Sequence, residues 1–331
     1  MFSSFRIAAY GEARDEAGRL LLTRATRKDG SVGPWHLPGG VLEHGEAPFD
    51  AVVRQFNRDT GFTVAAETPL QAVSTVRRDV HTNAIIYRVR LLDEPNADNA
   101  SDPKGGRARR NCQWVTPEQA SAEDHSPFVA AVLGTKDLRL ADVAQPKAPQ
   151  QPRPTPPTKA RKGRRKRGQR FGAYGLVTDP TGEMFLLARI ATGYPGAGGW
   201  HLPGGGVDFS EQPRRAVARE IFEETGQHAI IGQLLDVTSF RHRRAIGPEG
   251  YPLDWHGVRA IYQATVSEPS TAQVVEAAGG STSDSRWFTR GELDRQELTA
   301  AVVDALKVVD AKKAADSAPH TSQEQEVKSD Q

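Results

Sequence analysis

Apolar and polar positions alternate in short blocks along most of the chain, and the period of that alternation changes at a few definite places. In the second half, apolar blocks bounded by turn-forming residues predict strands over 171–178, 184–189, 200–202, 230–241, 256–266 and 286–288, with a turn at Pro180-Thr181-Gly182 between the first two. Over 212–225 the spacing becomes helical, because Val217 and Ile221 fall on one side and charged residues on the other. A closing helix is predicted over 298–309, where Ala301, Val302, Ala305 and Leu306 share a side. Helices set among strands of this kind predict an α/β sandwich.

The first half repeats the second. Residues 35–61 align with 200–226 at an offset of 165, with 13 identities in 27 positions, including Trp35-His36-Leu37-Pro38-Gly39-Gly40 against Trp200-His201-Leu202-Pro203-Gly204-Gly205. The match extends outward, since Ala9-Tyr10-Gly11 pairs with Ala173-Tyr174-Gly175, and His81 and Tyr87 pair with His256 and Tyr262. Repetition on this scale indicates a duplicated domain, and two domains also suit a length of 331 residues.

The chemistry sits on the predicted helix of the second half. Arg219, Glu220, Glu223 and Glu224 occupy i, i+1, i+4 and i+5, which gathers three carboxylates on one face. Carboxylates so close raise one another's pKa and cost stability unless a cation offsets them, and oxygen donors select a hard dication such as Mg²⁺, with Mn²⁺ as the alternative. As a bare helix pattern the same acids would serve as a solvated face.

With Gly205, Glu211 and Gly226 added at their spacings, the segment resembles the Nudix box: a glycine, five residues, Glu, seven residues, then Arg-Glu-apolar-x-Glu-Glu-x-Gly. The resemblance implies two Nudix-type α/β/α sandwich domains with mixed sheets, each carrying a loop-helix-loop. It also implies hydrolysis, by water and Mg²⁺, of a nucleoside diphosphate linked to another group. On this reading Glu223 and Glu224 hold the metal and Glu220 joins them or takes the proton of the attacking water. Arg219 pins a carboxylate in its reactive rotamer, and Glu211 is an outer ligand or orienting group. The Gly205 carbonyl adds a metal ligand. A further acid from the loop between the last strands is expected as base or ligand, with Glu276 first and Asp284 second. His201 and Trp200, whose twins His36 and Trp35 lie in the other half, read as packing residues.

The first half keeps Glu46, Arg54, Gly40 and Gly61 but has Gln55, Arg58 and Asp59 where the second has Glu220, Glu223 and Glu224. Gln55 brings no charge, and Arg58 sets a cation where the metal would sit, so this domain reads as non-catalytic.

Composition divides the chain at a third place. Residues 145–170 hold 10 Lys plus Arg and no acid, and the remainder carries 33 basic against 41 acidic groups, so the net charge of +2 hides an acidic body with a basic, Pro-rich tether. Such a tether buries no core, and its residues 159–170 could contact nucleic acid through the phosphates. The resulting division is a degenerate domain over 1–140, a disordered linker over 141–170, a catalytic domain over 171–310 and a disordered tail over 311–331. A single cysteine, Cys112, excludes an internal disulfide and reads as a small strand residue. No apolar run reaches the length of a membrane span and the start is strand-like, so a cytoplasmic protein with no membrane partner is expected. The rival to a nucleotide hydrolase is a nucleotide-sensing or RNA-associated binding protein that uses the first domain and the tether as interaction modules.

Overall fold

The computed structural model describes residues 4–26, 29–92, 112–135, 163, 165–246, 251–275 and 280–316. The first half runs β1 (Ser4–Glu12), β2 (Leu20–Thr23), β3 (Gly39–Val41), α1 (Pro48–Thr60), β4 (Val64–Arg77), β5 (Val80–Leu91), β6 (Cys112–Val115), α2 (Pro117–Ala122) and α3 (Pro127–Leu133). The second runs β7 (Lys166–Thr178), β8 (Met184–Ile190), β9 (Trp200–His201), β10 (Gly204–Gly206), α4 (Pro213–Thr225), β11 (Ile230–Ile246), β12 (Pro252–Thr265), β13 (Thr282–Thr289), α5 (Arg290–Leu293) and α6 (Ala300–Asp316).

Both halves are built on the same mixed sheet. The order is β3-β1-β5-β4 in the first and β11-β12-β7-β8-β13 in the second, where β10 pairs β7 and β9 pairs β8. In each half the central pair is parallel, β1 with β5 and β7 with β12, and its neighbours are antiparallel. Central strands buried on both faces need near-continuous apolar sequence, which Phe171 to Val177 and Val258 to Tyr262 supply. The two halves differ at one edge, because β2 and β6 form a separate two-stranded sheet, whereas β8 and β13 join the main one. Cys112 lies half-buried in β6 against the core. Among the described residues no helix is long and apolar enough to cross a membrane.

A close approach sets each box helix on its sheet. A Cβ at Gly175 would lie 2.9 Å from Ile221 Cδ1, and one at Gly11 would lie 2.6 Å from Phe56 Cδ2. Only glycine lets the helix sit that low. The apolar faces buried there include Val52 and Phe56 on α1 and Val217 and Ile221 on α4, and residues of both halves join in one apolar core. Strands β4 and β11 meet across this seam, where the buried Tyr262 hydroxyl donates to the Ala72 carbonyl at 3.4 Å.

Several expected boundaries move. The strand expected from 171 begins at Lys166, because residues 166–170 find partners in β12, with Lys166 opposite Leu253 and Arg170 opposite Gly257. Five residues assigned to the linker are therefore strand. The hairpin of β11 and β12 also extends past its expected ends, to Ile246 and Pro252. The closing helix runs on to Asp316, into residues assigned to the tail. Most of the basic tether and of the tail lies outside the described residues.

Candidate active site

Helix α4 starts with Pro213 at its first turn and ends on Gly226, whose φ of 71° lets its N–H reach the Phe222 carbonyl at 2.8 Å. Those two stops give the helix 13 residues and fix which side of it faces the loop that holds β10. The loop comes very close: a Cβ at Gly205 would lie 2.5 Å from Glu220 Oε1, so any larger residue there would displace that carboxylate.

Arg219 organises the cluster. Its Nε and one terminal nitrogen donate to the two oxygens of Glu211 at 2.9 and 3.0 Å, and the same terminal nitrogen reaches the Gly206 carbonyl at 3.2 Å. The other terminal nitrogen lies 3.0 Å from Glu220 Oε1 and 3.1 Å from Glu223 Oε2. One guanidinium thus joins three acids and a loop carbonyl, using the fixed fork that lysine lacks. Glu211 is itself held in register, accepting from the Asp208 N–H at 2.9 Å.

The three helix acids are not equivalent. Glu220 is largely buried, and burial pushes its pKa up to about 7, opposed by Arg219 and, more weakly, by Arg170 and reinforced by Glu223. The Arg219 pKa is driven further upward despite its burial, first by the hydrogen bond to Glu211. Glu223 is the most accessible, its side chain 28% exposed. Glu224 is turned inward at 1% exposure, and both its oxygens are engaged: Oε2 accepts from the Gly204 N–H at 2.9 Å and Oε1 from the Thr282 hydroxyl at 2.6 Å.

The first half explains Glu224. At the matching position Asp59 accepts from the Gly39 N–H at 3.0 Å, the same loop bond, although that half has lost the other acids. Arg54 likewise clamps Glu46 at 2.6 and 2.7 Å, as Arg219 clamps Glu211. These two contacts belong to the loop-helix-loop as a structure. The remaining differences are chemical. Gln55 lies beneath Gly40, with its Nε2 donating to the Val41 carbonyl at 3.0 Å, and Arg58 is folded back on Asp59 at 2.8 Å.

Among the described residues no three His, Cys, Asp or Glu side chains converge as an ion-holding group. Arg219 spans Glu220 and Glu223, and Glu224 points into the core. The donor set still suits a hard dication, since Glu220, Glu223 and the Gly205 carbonyl offer oxygen only. Asp284 does not join them, since its carboxylate pairs with Arg286 at 2.9 Å and accepts from the Ser285 N–H. Glu276 lies outside the described residues; the chain just before it follows the end of α4, where the Val275 N–H donates to the Glu223 carbonyl at 2.9 Å.

Sequence reasoning missed Thr282 and Arg170. Thr282 carries no signal beyond a hydroxyl in a strand. Arg170 was hidden in the basic run, yet its guanidinium covers Gly206 and its charge acts on Glu220. The imidazole of His201 is pushed down to about 4, chiefly by burial, so it stays neutral beside the Leu202 carbonyl, and Trp200 is buried against Phe288.

A model of the NUDIX domain matches residues 5–133 and again residues 168–310. A MutT-like protein of Streptomyces ambofaciens is 28% identical over 136 residues, covering 40% of this chain and 77% of that protein. An RNA pyrophosphohydrolase of Psychrobacter arcticus is 31% identical over 128 residues, covering 36% of this chain and 71% of the other. A solved MutT Nudix hydrolase from Burkholderia pseudomallei is 31% identical with a TM-score of 0.34, covering 43% of this chain and 98% of its own. The family thus accounts for both halves, and the chain belongs to the Nudix hydrolases, with two Nudix domains in tandem.

Proposed function

We propose that the second half hydrolyses the diphosphate bond of a nucleoside diphosphate linked to another group, with Mg²⁺ held by Glu220, Glu223 and the Gly205 carbonyl. The observation that carries this is the contrast between two helices of one fold. Both keep the Arg-Glu clamp and the inward acid, and only α4 adds a buried carboxylate poised near neutrality beside a second, accessible one. A purely structural helix has no use for that pair, which costs it stability.

The metal would offset charge on the diphosphate and help ionise the attacking water. A Glu220 oxygen left off the metal would take that water's proton. Arg219 keeps the Glu220 carboxylate in one rotamer and limits the rise of its pKa. Glu224 and Thr282 hold the Gly204 loop down, so that Gly205 stays packed against the Glu220 carboxylate. The first half lacks both the neutral-range carboxylate and the second acid, and we read it as non-catalytic.

The likeness to an RNA pyrophosphohydrolase supports a substrate with a phosphoanhydride at a nucleotide. The test is a panel of nucleoside triphosphates, ADP-ribose, dinucleoside polyphosphates and 5′-triphosphorylated RNA, assayed by phosphate and pyrophosphate release. Turnover should stop with EDTA, return with Mg²⁺ or Mn²⁺, and fall at least 10²-fold in Glu223→Gln. Activity that persists in EDTA, or a Glu223→Gln chain within threefold of wild type, would refute the metal assignment.

A further inference from the structure

We propose that the first half is the positioning partner of the second half's active site, acting through the Ser74–Gln212 contact on the loop that carries Glu211. This rests on the functional reading above. Gln212 is the residue that caps α4, but its side chain makes no bond to its own helix. Its amide instead crosses the seam and closes a two-bond ring with the backbone of β4: Ser74 N–H donates to Gln212 Oε1 at 2.9 Å, and Gln212 Nε2 donates to the Ser74 carbonyl at 2.6 Å. A residue suited to capping would be Ser, Thr, Asp or Asn, so the side chain at 212 serves the seam rather than the helix.

The neighbours extend the grip. Phe209, three residues earlier, meets Phe5 and His81 of the first half edge-on, with ring centroids 5.9 and 5.6 Å apart. His81 is fully buried there, and burial lowers its pKa and favours the neutral ring, against the opposing charges of Glu211 and Asp208. Between Phe209 and Gln212 stands Glu211, whose two oxygens hold Arg219, and Arg219 holds Glu220 and Glu223. The first half therefore fixes both flanks of the one residue on which the cluster hangs.

The duplicated architecture supplies an internal control. The loop of the first half meets the second half at the equivalent place, where Gly45 N–H donates to His256 Nδ1 at 3.1 Å and His44 lies 3.5 Å from Asp254. At the position of Gln212, however, that loop has Ala47, and at the position of Phe209 it has His44. The amide ring to the opposing strand exists only on the side of the intact box. A seam that served adhesion alone would give no reason for this bias.

The test compares full-length chains carrying Gln212→Ala, Glu211→Ala, both together, and His44→Ala, using a substrate that the wild type turns over. Gln212→Ala should lower kcat roughly tenfold, as a slight displacement of a catalytic constellation does, with KM within about twofold. Gln212→Glu keeps the acceptor, loses the donor, and should fall between. In the Glu211→Ala background, Gln212→Ala should cost less than about twofold, because its route to Arg219 is already cut. His44→Ala loosens the opposite side of the seam and should lower the melting temperature with kcat within about twofold. The proposal is overturned if Gln212→Ala leaves kcat within about twofold, if its loss is the same in both backgrounds, or if His44→Ala loses as much activity. A Glu220→Gln chain that remains fully active would instead refute the site, a result distinct from any of these.

Discussion

Replacing Glu220 by Gln should make the protein more stable and nearly inactive, and the gain should depend on pH. The first half shows that the substitution fits, since Gln55 occupies the same place beneath Gly40 and finds the Val41 carbonyl. In the folded state Glu220 has a pKa of about 7 instead of the usual 4.5. Each unit is worth about 1.4 kcal/mol, so keeping it ionised at pH 8 costs at most about 3 kcal/mol. Because its side chain is 13% exposed and Gln loses the charged contact with Arg219, we expect a net gain of about 1–2 kcal/mol. The sign follows from linkage: a raised folded pKa gives stability that is present in full below 4.5 and is lost as pH rises through 7. The variant has no such loss, so its advantage should be clear at pH 8 and nearly gone at pH 5. Urea unfolding of both chains in EDTA at the two pH values measures it, and turnover should fall at least 10²-fold. A variant less stable than wild type at pH 8, or a difference that ignores pH, would show that Glu220 is not a strained carboxylate.

Mg²⁺ binding should release a proton near pH 6.5 and weaken about tenfold per pH unit well below 7, because metal and proton compete for Glu220; calorimetry in buffers of different ionisation enthalpy reads this directly, and a pH-independent affinity would contradict it. Arg219→Lys keeps the charge but loses the fork, and should cut kcat about 10²-fold while Arg54→Lys leaves activity unchanged. Equal losses in the two would mean that the clamp is only structural. Removing residues 145–162, which spares β7, should flatten the salt dependence of binding to RNA while sparing hydrolysis; unchanged RNA binding would remove the tether as a contact.

How far the sequence carries depends on whether a feature is local. The box helix, its glycine stop and the strand before it were legible because spacing within one segment decides them, and the duplication confirmed each against its twin. The start of β7 was not legible. Residues 166–170 look like tether by composition, and only pairing with β12, more than 80 residues away, makes them strand. The detached β2–β6 pair was hidden for a similar reason, since nothing in those short segments says which edge they will join.

At the site, spacing placed three carboxylates on one face but could not distinguish them. Glu223 and Glu224 are adjacent, yet a rotation of about 100° per residue sends one toward solvent and the other under the loop, where Thr282 and the Gly204 N–H meet it. The clue lay in the other half. There Asp59 keeps the loop bond although the residues matching Glu220 and Glu223 are no longer acids, so that contact does not depend on them. Equivalent reasoning applied to Gln212 against Ala47 points the opposite way, to a residue present only beside the intact box. Comparing an intact box with a degenerate one within a single chain thus shows which contacts persist without the acids and which accompany them.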